Sequence, residues 1–163
     1  MSGVLTTDMV CEADDWNEAL PDAGALLRRA AEAAWAGAGG RGEAELSILL
    51  ADDTRIRQLN RDYRGKDKPT NVLSFPAGDE GAAGRPRMLG DVALALETIR
   101  REAQAQSKSL GDHASHLTVH GVLHLLGHDH ETDTQANAME ALETEILRGL
   151  GIADPYAAEE SVG

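Results

Sequence analysis

All six histidines of this 163-residue chain, His113, His116, His120, His124, His128 and His130, fall between positions 113 and 130. The centre of the cluster is HGVLHLLGHDH, residues 120–130. His120 and His124 are four apart, so on a helix both imidazoles leave the same face one turn from each other. Gly127 is a helix terminator, and past it the chain can turn and bring His130 back toward the other two. Three neutral imidazoles leave a fourth tetrahedral position for water, the arrangement of an open catalytic zinc site rather than a closed structural one. The chain has one cysteine, Cys11, so a thiolate cluster is excluded. Imidazole ligation favours zinc, with nickel, cobalt and copper as alternatives. One histidine on an apolar face would be an ordinary core residue and two would be suggestive. Three at this spacing, with a glycine between the second and third, point to a metal. His116, one turn before His120, is expected to support a ligand, shuttle a proton or meet substrate. His128 is expected to point away from the metal, and Asp129 to fix the tautomer of a ligand ring.

The spacing H-x-x-x-H-x-x-G-x-x-H is also that of metzincin proteases, whose motif opens H-E-x-x-H with the glutamate as general base. Here that position is Gly121. A protease would need another carboxylate, for which Glu97, Asp129 and Glu131 are the candidates. A phosphodiester is the better chemical fit. Overall the chain is strongly acidic, net −13, which argues against broad non-specific phosphate binding and against DNA as a partner. Residues 55–68 break the pattern, with Arg55, Arg57, Arg61, Arg64, Lys66 and Lys68 against Asp62 and Asp67. The plain reading of this window is a solvated helix face and loop. The functional reading gives Arg64 the catalytic task of stabilising charge on a phosphoryl group. Aromatic residues are only 3% of the chain, which speaks against an extended base-stacking platform.

The elements that must position these groups follow from periodicity and punctuation. Strands are expected at 4–11, 45–50, 71–75 and 89–96, with Pro76 stopping the third. Helices are expected at 22–38, from Asp52 or Asp53 through 61, at 97–107, 112–126 and 133–150, the last carrying Met139, Leu142, Ile146 and Leu150 at helical spacing. Leu123, Leu125 and Leu126 would anchor the histidine helix in the core. Residues 77–87, rich in glycine and proline, read as a loop and possible flap. The acidic tail, about 151–163, reads as frayed. Length and composition suit one domain, 1–163, with a core of Leu, Ile, Val and Ala. No stretch is long enough to span a membrane. No secretory signal is evident and the lone cysteine suits a reducing compartment, so a cytoplasmic location is expected.

HGVLHLLGHDH, LNRDYRGKDKPTNVLSFP (59–76), LGDVAL (89–94) and MEALETEIL (139–147) together resemble the bacterial YbeY family over residues 45–156, and only in general layout before that. The resemblance implies an α+β fold, with a mixed sheet of about four strands, several helices and the metal-bearing helix at the centre. It implies a zinc-dependent, single-strand-specific endoribonuclease acting in ribosomal RNA processing, at the small-subunit rRNA 3′ end, and in ribosome quality control. Its partners would be ribosomal RNA precursors and ribosome-assembly proteins. It implies His120, His124 and His130 as metal ligands and Arg64 as the basic residue important for activity. The alternatives are a metalloprotease, or a non-catalytic ribosome-assembly factor whose metal is structural.

Overall fold

The computed structural model describes residues 3–77, 86–128 and 131–156. Four strands, β1 (Val4–Cys11), β2 (Glu43–Ala51), β3 (Val72–Pro76) and β4 (Arg87–Ala95), form one sheet in the order β1-β2-β4-β3. β1, β2 and β4 run parallel and β3 pairs antiparallel with β4. Six helices complete the described chain: α1 (Asp15–Ala19), α2 (Ala23–Gly37), α3 (Asp53–Arg64), α4 (Leu96–Ala105), α5 (Leu110–Leu125) and α6 (Asp133–Gly149). The protein is therefore α+β with a mixed four-stranded sheet, as the sequence led us to expect. None of the described helices is long and apolar enough to cross a membrane.

The sheet buries both faces. Leu46, Ile48, Val92 and Leu94 face a large core shared with Leu27 and Trp35 of α2, Val119, Val122 and Leu123 of α5, and Met139 and Leu147 of α6. Ala93, Ala95 and Leu73 face a smaller core closed by Ile56 and Leu59 of α3. The two central strands accordingly end in continuous apolar runs, ILLA in β2 and VALA in β4, whereas the edge strand β1 alternates between buried and exposed residues over its first half. α5 lies at the centre, packed on β3 and β4 with α2, α4 and α6 around it.

Two expectations change. α1 has no counterpart in the sequence reading because five residues are too few to show periodicity. It seats the fully buried Trp16, whose indole N–H donates to the carbonyl of Ala51 at 2.8 Å. Pro76 does not stop the third strand but is its last paired residue, opposite Gly90. β3 is an edge strand, where a residue without an N–H is tolerated. Gly90 itself has φ +134°, and a Cβ there would run into the Phe75 carbonyl. Residues 78–85, most of the expected flap, lie outside the described residues.

Gly121 sets the distance between α5 and the sheet. A Cβ at that position would come within 2.8 Å of Val92 Cγ1 and 3.2 Å of Ser74 Oγ. Ser74 in turn donates to the Gly121 carbonyl at 3.0 Å. Gly121→Ala should therefore destabilise the protein by about 1–3 kcal/mol, through overpacking, although alanine is intrinsically the better helix former by about 1 kcal/mol. Chemical denaturation of the two proteins checks this, and equal or greater stability of the alanine variant would contradict so tight a helix–sheet contact.

Candidate functional site

α5 begins at Ser109, whose hydroxyl accepts from the Asp112 amide at 3.0 Å, and ends in a tight cap at Gly127. Gly127 has φ +98°. Its amide donates to the His124 carbonyl and the next amide, of His128, to that of Leu123, at 3.1 and 3.0 Å. This pair of bonds is the Schellman arrangement that a left-handed glycine permits. It turns the chain sharply three residues beyond His124, as the sequence implied.

His120 and His124 stand one turn apart with ring centroids 6.4 Å from each other. Each has an acceptor at Nδ1. For His124 it is the backbone carbonyl of His128, at 3.2 Å. For His120 it is Glu143 Oε1, at 2.8 Å, reached from α6. An acceptor at Nδ1 places the ring proton there and the lone pair at Nε2, the tautomer a metal ligand requires. His128 thus serves through its backbone. Asp129 and His130 lie outside the described residues, and the tautomer-fixing task given to Asp129 falls, for His120 and His124, to Glu143 and the His128 carbonyl. No cluster of three metal-ligating side chains occurs among the described residues. The two imidazoles that are described have the donor chemistry of a zinc or similar divalent site.

Glu143 is almost fully buried, with 1% of its side chain exposed. Besides His120, it lies 3.5 Å from His116 Nε2 and accepts from the Tyr156 hydroxyl at 2.8 Å. Tyr156 also stands edge-on to the His116 ring. Burial by itself would push the Glu143 carboxyl up, but hydrogen bonds from His116 and His120 outweigh it and hold the group down at about 2. The carboxylate is therefore ionised at neutral pH. Tyr156 shifts the opposite way, upward, because it is buried and faces that charge. Sequence reasoning missed both residues. Glu143 did leave a signal, since it is an acid on the apolar stripe of α6 between Met139 and Ile146. Tyr156 left none, and its docking corrects the expectation of a frayed tail from 151 onward. Ile152 is also tied down, its amide donating to Leu147 at 2.9 Å.

His113, further up α5, belongs to a separate network. Its Nε2 is 2.9 Å from Glu102 Oε1 on α4, and Glu102 also accepts from the Asn71 amide at 3.0 Å. Burial pushes the His113 imidazole down, against the pull of Glu102.

The histidine pair opens into a cleft of about 1000 Å³ that runs past the edge strand β3. Its lining includes His120, His124, Arg64, Ser74, Asp91 and Glu131. Arg64 is the last residue of α3, exposed, and without an acidic partner among the described residues. Two of the three candidate ligands, His120 and His124, and the candidate catalytic cation thus meet in one cleft. Asp91 adds a carboxyl raised by partial burial. Of the carboxylates weighed as a displaced protease base, Glu131 lines the cleft, whereas Glu97 accepts from the Asp53 amide at the start of α3, at 3.1 Å.

A mixed sheet with a histidine-bearing helix beneath its edge strand defines the class. The family model described as Endoribonuclease YbeY matches residues 12–151. Relatives named Endoribonuclease YbeY include those of a Bradyrhizobium species, 52% identical over 98% of this chain and 96% of its own, and of Parvibaculum lavamentivorans, 53% identical over 95% of this chain and 86% of its own. That of Azorhizobium caulinodans is 54% identical over 94% and 97%. The chain belongs to the Endoribonuclease YbeY family. The solution structure of TM1509 from Thermotoga maritima shares the fold, with a TM-score of 0.57 at 20% identity, covering 97% of this chain and 93% of that one.

The Glu143 network makes its own prediction. Tyr156→Phe removes one donor to a buried charge and should cost about 1.5–3 kcal/mol. Thermal or urea unfolding checks it, and a loss near zero would mean that Tyr156 does not hold the segment after α6 against the histidine helix.

Proposed function

We propose that the protein is a zinc-dependent endoribonuclease that cuts single-stranded RNA, with ribosomal RNA precursors as its substrate, in the maturation of the small-subunit 3′ end and in ribosome quality control. The observation that carries this reading is the meeting, in one cleft, of two imidazoles whose Nδ1 atoms face acceptors and an arginine with no acidic partner among the described residues. The endoribonuclease activity for which its family relatives are named supports the same reading.

His120 and His124 would hold the metal through Nε2, with His130 as third ligand. When bound, zinc supplies Lewis-acid chemistry that polarises a phosphate oxygen. The protein's own residues do the rest. Glu143 keeps the His120 proton on Nδ1 and makes that ring a stronger donor. Arg64 reaches the phosphate with a planar fork that matches two of its oxygens and stabilises charge gathering there as the ester bond breaks. Residue 121 cannot supply a base, because the sheet leaves no room for its side chain. A glutamate in the metzincin position would meet Val92, which counts against the protease alternative.

His124→Ala should lose bound zinc and RNA cleavage together. Arg64→Ala should keep stoichiometric zinc while cleavage falls by about 10²–10³-fold. Metal analysis alongside cleavage of a single-stranded RNA by wild type, both variants and His130→Ala decides between them. Native-rate cleavage by His124→Ala would end the metal reading, and metal-dependent cleavage of peptides without cleavage of RNA would establish a protease instead. Chelation that unfolds the protein, with no activity to lose, would leave a structural metal in an assembly factor.

A further inference from the structure

Aromatic side chains are scarce here, two tryptophans, two tyrosines and one phenylalanine, so their placement is informative. Trp16 and Trp35 are buried in the main core, and Tyr156 is bound to Glu143. The remaining two, Tyr63 and Phe75, both line the histidine cleft. Their ring centroids are 5.3 Å apart at an interplanar angle of 60°. Phe75 is half-buried against the smaller core, yet Tyr63 leaves 71% of its surface in water. A residue serving only to cover Phe75 would turn more of itself inward.

The charges around this pair are sorted as well. Of the basic residues at 55–68, Arg55 pairs with Glu12, Arg57 with Asp67 through two bonds, and Arg61 with Asp62. Arg64, Lys66 and Lys68 have no such acidic partner among the described residues. Arg64 follows Tyr63 directly in the sequence and lines the same cleft. On the other side, Asp91 is the cross-strand neighbour of Phe75 and lines the same cleft. A phosphate is drawn to the Arg64 side, where the cation is.

Resting on the nuclease reading above, we propose that Tyr63, backed by Phe75, is a stacking platform for one unpaired nucleobase, whose neighbouring phosphate Arg64 holds at the entrance to the histidine site. A π face suits any base and gives little sequence preference. It does require a base that is out of a duplex, so the platform supplies a preference for single strands. The low aromatic content pointed away from an extended platform, whereas a one-base platform needs only this pair.

The test measures binding rather than cleavage. The probe is a short 2′-O-methyl RNA strand, with and without one abasic position, titrated in chelator against wild type, Tyr63→Leu and Tyr63→Trp. The leucine keeps an apolar cover over Phe75 and removes the π face. Tyr63→Leu should bind the intact strand roughly ten- to a hundred-fold more weakly, with unchanged thermal stability and unchanged affinity for the abasic strand. Tyr63→Trp should restore binding, and its emission should be quenched by the strand against the buried Trp16 and Trp35. Wild-type affinity in Tyr63→Leu, unquenched tryptophan emission at saturation, or no binding by the wild type would each overturn the platform. The two readings fail separately. Stacking in a protein that cuts no RNA would sink the nuclease and spare the platform, and metal-dependent cleavage with full activity in Tyr63→Leu would do the reverse.

Discussion

A single buried negative charge organises the centre of this molecule. Glu143 has almost no access to water, and withdrawing a carboxylate so far costs several kcal/mol unless other contacts replace its hydration. Two histidines of α5 and a tyrosine from beyond α6 supply them. Charge-assisted bonds of this kind are roughly twice as strong as neutral ones, and together they keep the group ionised despite its burial. Because the donors come from separate segments, the charge also fixes where those segments meet. α6 and the segment that follows it as far as Tyr156 are drawn onto the back of α5, and the front of the same helix is left to face the cleft. One carboxylate therefore serves both packing and the orientation of His120.

The opposite side of α5 is fixed by the absence of a side chain. Gly121 lets the helix backbone approach β3 and β4 closely enough for Ser74 to bind its carbonyl. His120 and His124 flank this contact by one residue and three, so their backbone positions are set by a packed interface rather than by a loop. Metal chemistry rewards such rigidity, because small errors in ligand placement weaken a site. The same closeness removes residue 121 from any chemical role. The feature that separates this cleft from a metzincin-like one at the level of sequence is thus a consequence of how far the helix sits from the sheet.

Much of this was legible in the sequence because much of it is local. The i, i+4 histidines, the glycine that ends their helix and the apolar stripes of α2 and α6 are periodic or adjacent signals, and they survive folding unchanged. β1 and α2 appear within a residue of their expected ends for that reason. What was not legible depends on contacts between distant segments. Glu143 meets His120 across 23 residues and Tyr156 meets His116 across 40, and no spacing rule connects them. Charge counting also misled in one respect. The window at 55–68 is basic in sum, but only folding decides that three of its arginines are taken up by Glu12, Asp62 and Asp67 while Arg64 has no such partner among the described residues.

That sorting matters because of the charge on the rest of the chain. A protein at −13 repels a polyanion at long range, over a distance set by the Debye length of about 8 Å at physiological ionic strength. Attraction must come from the few cations that line the cleft, where Arg55 is paired with Glu12 and Arg64 has no acidic partner among the described residues, acting at contact. With so few of them, counterion release contributes modestly, since each phosphate neutralised on a single strand adds only about 0.7 to the salt exponent. Affinity then has to be made up by interactions that salt does not screen, which are apolar and aromatic contact. The acidic surface and the platform proposed at Tyr63 are in this sense two aspects of one design: the first would keep RNA from binding over the surface at large, and the second would let a strand bind where Arg64 and the histidines already are.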